Sequence, residues 1–232
     1  MLVLAPAKLT LSLRVVGVRD DGYHLLDAEM VTLDLADELV FAEGDGLDIL
    51  AAAGPDVPPG DDNLVRRALE AVGRRAHVTL TKRIPAGAGL GGGSADAAAV
   101  LRWAGCRDLA VALALGADVP FCVHGGRARV TGVGEVVAPL PPLDQVFTLL
   151  TPPFGVATAD VYRAWDELGG PTADGPNDLE PAALAVEPRL AEYRDRLGDA
   201  TGVTPVLAGS GSTWFVEGAF PGDDRTVTRT VT

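Results

Sequence analysis

The chain has 232 residues, 47% apolar and 22% charged, with a formal charge of −13 from 32 acidic and 19 basic residues. That balance is globular and long enough to bury its own core, and its sign argues against the basic face by which a duplex-binding protein neutralises phosphates. No run approaches the roughly 18 uninterrupted apolar residues of a membrane span, no basic amphipathic stretch suits a membrane surface, and Pro6 and Lys8 break the apolar start too early for a signal peptide.

Leu9, Leu11, Leu13 and Val15 alternate with Thr10, Ser12 and Arg14, which predicts a half-buried strand. Arg19–Gly22 predicts a turn, and Met30–Leu35 and Leu39–Phe41 predict strands. Ala53–Asp62, rich in Pro, Gly and Asp, reads as a loop, and Asn63 as the cap of a helix over Leu64–Val72. Val78, Leu80 and Lys82 read as a strand edge stopped at Ile84-Pro85. The Ala-rich segment from Ser94 to Leu101 predicts a helix, and a second over Leu109–Leu115 ends at Gly116.

Val119–Val123 and Ala128–Val130 predict strands around the turn His124-Gly125-Gly126. Pro139, Pro141 and Pro142 mark a boundary, so residues 1–142 and 143–232 are expected as two domains. Beyond it, a strand is predicted over Val146–Leu150, helices over Asp160–Leu168 and Pro188–Leu197, and a strand at Val206-Leu207 entering the turn Ala208–Ser212. The polar, Thr-rich stretch after Gly222 predicts a frayed tail. Helices and strands without a regular βαβ rhythm place the chain in the α+β class.

Two compositional facts concern chemistry. Of the 19 basic residues 17 are Arg, and the two lysines are Lys8 and Lys82. Arg and Lys exchange freely on a solvated face but not where a compact ammonium is required. The two cysteines, Cys106 and Cys122, lack metal-ligand spacing and suit a reducing cytoplasm.

The strongest motif is Pro85-Ala86-Gly87-Ala88-Gly89-Leu90-Gly91-Gly92-Gly93-Ser94, half of it glycine. Glycine admits positive φ and close approach to a ligand, and a glycine loop feeding a helix N-terminus offers free N–H groups and the positive dipole end to phosphate. A net-acidic protein can therefore still bind a polyphosphate. The loop is not a Walker A sequence, because no Lys-Ser or Lys-Thr follows the glycines. Gly87, Gly89 and Gly92 fit G-x-G-x-x-G, but Pro85 separates them from the preceding strand, against a dinucleotide site. A flexible surface loop is the bland alternative. The second turn, Gly209-Ser210-Gly211-Ser212, suits either a hairpin connection or close packing against a loop or ligand phosphate.

Together the sequence resembles the GHMP kinase superfamily. The resemblance rests on Ala5–Leu9, Asp21-Gly22-Tyr23-His24, Pro85–Asp96, Leu115–Phe121 with its Gly-Ala-Asp-Val-Pro, Gly132-Val133-Gly134-Glu135, Asn177-Asp178-Leu179-Glu180-Pro181 and Gly209–Ser212, in the family's order from near residue 5 to near 216. It implies two α+β lobes, the first like a domain of ribosomal proteins and the second ferredoxin-like, with the active site between them. Gly-Tyr-His and Gly-Ala-Asp-Val-Pro point within it to the branch that phosphorylates a hydroxyl of a cytidine-diphosphate-linked polyol. ATP and Mg2+ are then the implied cofactors, with no dedicated protein ligands for the metal. The implied partners are small molecules alone, neither nucleic acid nor membrane, and the expected state is a monomer or weak homodimer in the cytoplasm.

Residue by residue, the resemblance makes Lys8 and Asp118 catalytic. It puts ATP on Asn63, Lys82, Pro85, Gly87, Gly89, Leu90, Gly91, Gly92, Gly93 and Ser94, and the acceptor substrate on Thr10, Tyr23, His24, Thr158, Tyr162, Gly209 and Ser210. Read without it, Asp118 is a turn cap, Lys8 a solvated strand residue, Asn63 a helix cap, Lys82 a strand edge, and Tyr162 core packing at helical spacing with Trp165. Two departures stand out: Thr10 occupies a position where the family usually has Asn, and Val100–Gly116 is short. A homoserine- or mevalonate-type kinase, a non-catalytic nucleotide-binding module and a dinucleotide-dependent oxidoreductase remain alternatives.

Overall fold

A computed structural model describes residues 1–51 and 59–231. Most of the expected Ala53–Asp62 loop therefore lies outside the described residues. The opening is a pair of long antiparallel strands, β1 (Leu2–Val18) and β2 (His24–Ala42). The period-two alternation marked only the middle of β1, and the two β2 segments are one continuous strand. Next come β3 (Gly46–Ala51), α1 (Leu64–Ala71), β4 (His77–Lys82), α2 (Gly92–Trp103), α3 (Leu109–Leu115), α4 (Val119–His124), β5 (Arg127–Gly132) and β6 (Val136–Pro139).

These strands form one six-stranded sheet, in which β1 pairs with β2 and the rest run β3-β4-β2-β5-β6. The Ala-rich α2 buries every residue from Ala95 to Leu101, because small side chains let it lie close on the sheet. A four-stranded sheet, β10-β7-β9-β8, follows, from β7 (Val146–Leu150), β8 (Val206–Leu207), β9 (Trp214–Glu217) and β10 (Thr226–Arg229). With it come α5 (Thr158–Glu167), α6 (Glu180–Val186) and α7 (Leu190–Thr201).

Two expectations are corrected. Val119–Val123 is helical, because Pro120 sits in the first turn, where its missing N–H costs nothing. The tail after Gly222 is not frayed: β10 pairs with β7, and Asp34 of β2 accepts from Thr228 Oγ1 at 2.5 Å and from the Arg229 amide at 3.1 Å. A hydrophobic cluster of Ala7, Leu9, Val31, Leu33, Leu90, Phe147, Leu149 and Phe215 joins β1, β2 and the glycine loop to the second sheet. On β1 the alternate residues Lys8 and Thr10 face the other way, into a cleft, between register shifts at Pro6/Lys8 and Thr10/Ser12.

Candidate active site

The glycine loop folds so that Gly87, Gly89 and Gly91 all take positive φ, of 70°, 77° and 68°. Gly91 is the left-handed N-cap of α2, which leaves the first amides of the helix, at Gly92, Gly93 and Ser94, without intrahelical partners. The loop is fastened on both sides. The Lys8 amide donates to the Leu90 carbonyl at 3.0 Å, and the Thr213 amide to the Ala88 carbonyl at 3.1 Å. A Cβ on Gly89 would lie 2.4 Å from the Ala208 carbonyl oxygen, and one on Gly91 2.7 Å from Lys8 Cγ. Here glycine is demanded by space as well as by φ.

The loop, Lys8, Thr10, Lys82, Ser94, Asp118, Thr158, Tyr162, Gly209 and Ser210 line one cleft of about 480 Å3. Sixteen of the nineteen residues singled out from the sequence thus converge there, including Pro85, Gly87, Gly89, Leu90, Gly91, Gly92 and Gly93. Asn63, Tyr23 and His24 do not line it. Asn63 caps α1, its side chain accepting from the Val65 amide at 2.9 Å. Tyr23 lies in the β1–β2 turn, 64% exposed.

His24 sits beside the cleft wall. Its ring stands 4.7 Å from that of Tyr162 and 5.5 Å from that of Trp165, edge-on, with Nε2 2.8 Å from Asp166 Oδ1. A carboxylate can only accept, so Nε2 carries the hydrogen and Nδ1 of the neutral ring is an acceptor. Burial raises the Tyr162 phenol well above its ordinary value, so it stays neutral.

Lys8 is buried, and its ammonium lies 3.1 Å from Thr10 Oγ1 and 3.3 Å from Asp118 Oδ2. Asp118 occupies the N-cap position of α4 but makes no capping bond, so its partly exposed carboxylate is turned to Lys8 and the cleft. A cation holding a carboxylate in a water-accessible cleft can orient a hydroxyl, take up its proton and offset charge developing on a transferred group. Thr10, where an Asn was the family expectation, spends its hydroxyl on accepting from Lys8.

Lys82 has a different environment. It is buried under the loop, where its ammonium donates to Asp96 Oδ2 at 2.8 Å and to Asp37. Asp37 also accepts from the Arg83 and Ile84 amides, which fixes the chain as it enters the loop. Burial, the largest influence, pushes the Asp96 carboxyl up to about 7, against the pull of Lys82; Asp37 adds to the rise. Sequence reasoning passed over Asp37 and Asp96. A lone carboxylate in the apolar run Ala95–Leu101 was the available signal, since a buried charge requires a partner.

Among the described residues no group of three or more His, Cys, Asp or Glu side chains could hold a metal. Of the side-chain oxygens that line the cleft, Asp96 is held by Lys82, Thr10 by Lys8, and Thr158 and Ser210 by each other, which leaves beside the loop the Asp118 carboxylate and the Ser94 hydroxyl, the latter 4.0 Å from where a Cβ on Gly116 would stand. That sparse set fits a magnesium ion that keeps phosphate and water ligands, and does not fit an all-protein cage. Cys106 and Cys122 are free, and burial raises the Cys122 thiol to about 12, which makes it inert. No described helix is long and apolar enough to cross a membrane.

Comparison with known proteins bears on the family of the chain. Residues 63–126 match the family described as GHMP kinases N terminal domain. The 4-diphosphocytidyl-2-C-methyl-D-erythritol kinase of Paracoccus denitrificans is 40% identical over 231 residues, covering 91% of this chain and 84% of that protein. The chain belongs to the 4-diphosphocytidyl-2-C-methyl-D-erythritol kinase family. The kinase of the same name from Pelotomaculum thermopropionicum is 41% identical, with 91% and 87% covered. A crystal structure of 4-(cytidine 5'-diphospho)-2C-methyl-D-erythritol kinase superposes over all of both chains with a TM-score of 0.79 at 34% identity. Homoserine kinase from Cytophaga hutchinsonii, with a TM-score of 0.61 at 19% identity and coverage of 99% of this chain and 94% of that one, shares the fold alone. The two-lobed α+β GHMP kinase fold expected from the motifs is therefore the fold of this kinase, and the homoserine- and mevalonate-type alternatives are not favoured.

Proposed function

We propose that this kinase transfers the γ-phosphoryl group of ATP to the 2-hydroxyl of 4-diphosphocytidyl-2-C-methyl-D-erythritol, a step in isoprenoid precursor synthesis. The observation that carries the reading is the 3.3 Å approach of Lys8 and Asp118 at the edge of a cradle of unpaired main-chain amides. Phosphoryl transfer is mainly positioning and charge stabilisation, and these groups supply both.

In this reading the amides of Gly92, Gly93 and Ser94 hold the phosphates, and the loop and Lys82 form the nucleotide side. Asp118 accepts the proton of the acceptor hydroxyl. The new bond joins the acceptor oxygen to the γ-phosphorus, the bond from γ-phosphorus to its bridging oxygen breaks, and ADP leaves. Lys8 holds the Asp118 carboxylate and offsets negative charge on the transferring group. When bound on the triphosphate, magnesium neutralises phosphate charge, and Asp118 and Ser94 are the side chains that would meet it. Thr10, Thr158, Gly209 and Ser210 line the acceptor side, with the cytosine end toward Tyr23, His24 and Tyr162. Residues 1–142 and 143–232 are the two lobes, and the protein works in the cytoplasm as a monomer or weak homodimer.

The test is ADP release with the cytidyl substrate, homoserine and mevalonate as separate acceptors. Turnover confined to the cytidyl substrate supports the reading. Preference for either other acceptor moves the chain to another kinase of the superfamily, and binding of ATP with no turnover on any of the three would make it a nucleotide-binding module.

A further inference from the structure

The segment Asn177–Pro181 carries no assigned role, yet Asn177 has one of the most fully used side chains in the protein. The residue is 1% exposed. Nδ2 donates to the Leu207 carbonyl at 2.8 Å and to the Gly209 carbonyl at 2.7 Å, and Oδ1 accepts from the Leu179 amide at 2.9 Å. The same residue bridges to Leu13 of β1. The Leu13 amide donates to the Pro176 carbonyl, and the Asp178 amide to the Leu13 carbonyl, each at 2.9 Å. Asp178 completes the clasp by accepting from Arg14 and from the Val15 amide.

The strand that carries Lys8 and Thr10 is thus tied, through one side chain, to the turn that faces them. That turn is close: a Cβ on Gly209 would lie 3.4 Å from Lys8 Nζ and 3.6 Å from Thr10 Oγ1. Asn177 takes one carbonyl of the turn, at Gly209, and one from the end of β8 that leads into it, at Leu207. The Leu207 and Gly209 carbonyls are thereby oriented toward Asn177, and with the second goes the peptide unit that carries the Ser210 amide. The carboxamide nitrogen has two N–H donors, one for each acceptor, which neither a carboxylate nor a single hydroxyl supplies. We propose that Asn177 is a positioning residue for the acceptor substrate, acting through the Gly209–Ser210 turn. The inference rests on the acceptor side of the cleft assigned above.

The experiment compares Asn177→Asp and Asn177→Ser with the unaltered enzyme, measuring KM for the cytidyl acceptor and for ATP, kcat across pH, and melting temperature. A carboxylate at 177 faces two carbonyls with nothing to donate. Acceptor KM should rise about tenfold or more in Asn177→Asp with ATP KM within about twofold, the loss of a buried hydrogen-bond pair felt on one side of the cleft. The defect should shrink as pH falls and a proton returns one donor, and Asn177→Ser, with one hydroxyl donor, should lie between. If Asn177→Asp does not fold, the acceptor-selective rise in Asn177→Ser alone carries the test. Equal rises in both KM values, or unchanged KM values with activity falling only as the folded fraction falls, would overturn the proposal. Failure of the unaltered enzyme to use the cytidyl acceptor would instead overturn the assignment of function on which it rests.

Discussion

Lys82 Nζ lies 2.8 Å from Asp96 Oδ2 beneath the glycine loop, and Asp37 closes on the same ammonium from β2. Two carboxylates share one cation in a buried place. Burial raises Asp96 to about 7, so in the folded protein it holds its proton where the unfolded chain, titrating near 3.8, has lost it. Between those values the folded state binds more protons, and this site makes stability fall as pH rises. Asp96→Asn should flatten that part of the profile, which melting temperatures taken from about pH 5 to about pH 8 would reveal. A variant curve parallel to the parent's would reject the assignment.

Lys8 and Asp118 should separate binding from turnover. Asp118→Asn keeps the shape of the carboxylate but cannot accept a proton, and Lys8→Met keeps the buried stem but removes the charge. Each should cost roughly 10²- to 10⁴-fold in kcat, the range of a single general base or charge stabiliser. ADP affinity, measured by calorimetry, should stay within about threefold, because the amide cradle is untouched. Near-normal turnover in Asp118→Asn would remove it from the mechanism.

His24 offers a test of base recognition. With Nε2 engaged by Asp166, Nδ1 presents an acceptor, which suits the exocyclic amine of cytosine and not the carbonyl of uracil. His24→Ala should lower the preference for a cytidine- over a uridine-linked acceptor by about tenfold, the worth of one hydrogen bond. Comparing kcat/KM for the two acceptors measures it, and an unchanged ratio would clear His24 of the role.

What could be read in the sequence was what is local. The glycine loop announces itself by composition, and Lys8 stood out as one of two lysines among 19 basic residues. The α4 segment misled because Val119, Phe121 and Val123 favour strands one by one, whereas Pro120 and the preceding turn favour a helix start. The β10 strand was invisible because its stability comes from β7 and Asp34, almost 200 residues away in sequence for Thr228. Asp37 and Asp166 look like surface polar residues until the fold buries or pairs them. The ion cluster under Lys82 and the Asn177 clasp are products of tertiary structure, and no periodicity encodes them.

Gly134 tests whether the turn before Asp118 must be held in place. It belongs to the Gly132–Glu135 turn between β5 and β6, has φ +109°, and a Cβ there would lie 2.2 Å from the Ala117 carbonyl oxygen and 2.9 Å from its carbon. Those atoms are backbone, one residue from Asp118, so they can make room only by moving the turn. Gly105 is the control, at φ +75° with nothing within 4 Å of its Cβ position. Alanine there meets the left-handed strain alone, about 1 kcal/mol, and should lower melting temperature without changing kcat. Gly134→Ala carries strain plus displacement. A misplacement of about 1 Å in a reacting group can cost about 10²-fold, so kcat should fall at least tenfold while ADP affinity holds. If both variants lose stability alike and neither loses kcat in its folded fraction, the turn does not set the position of Asp118.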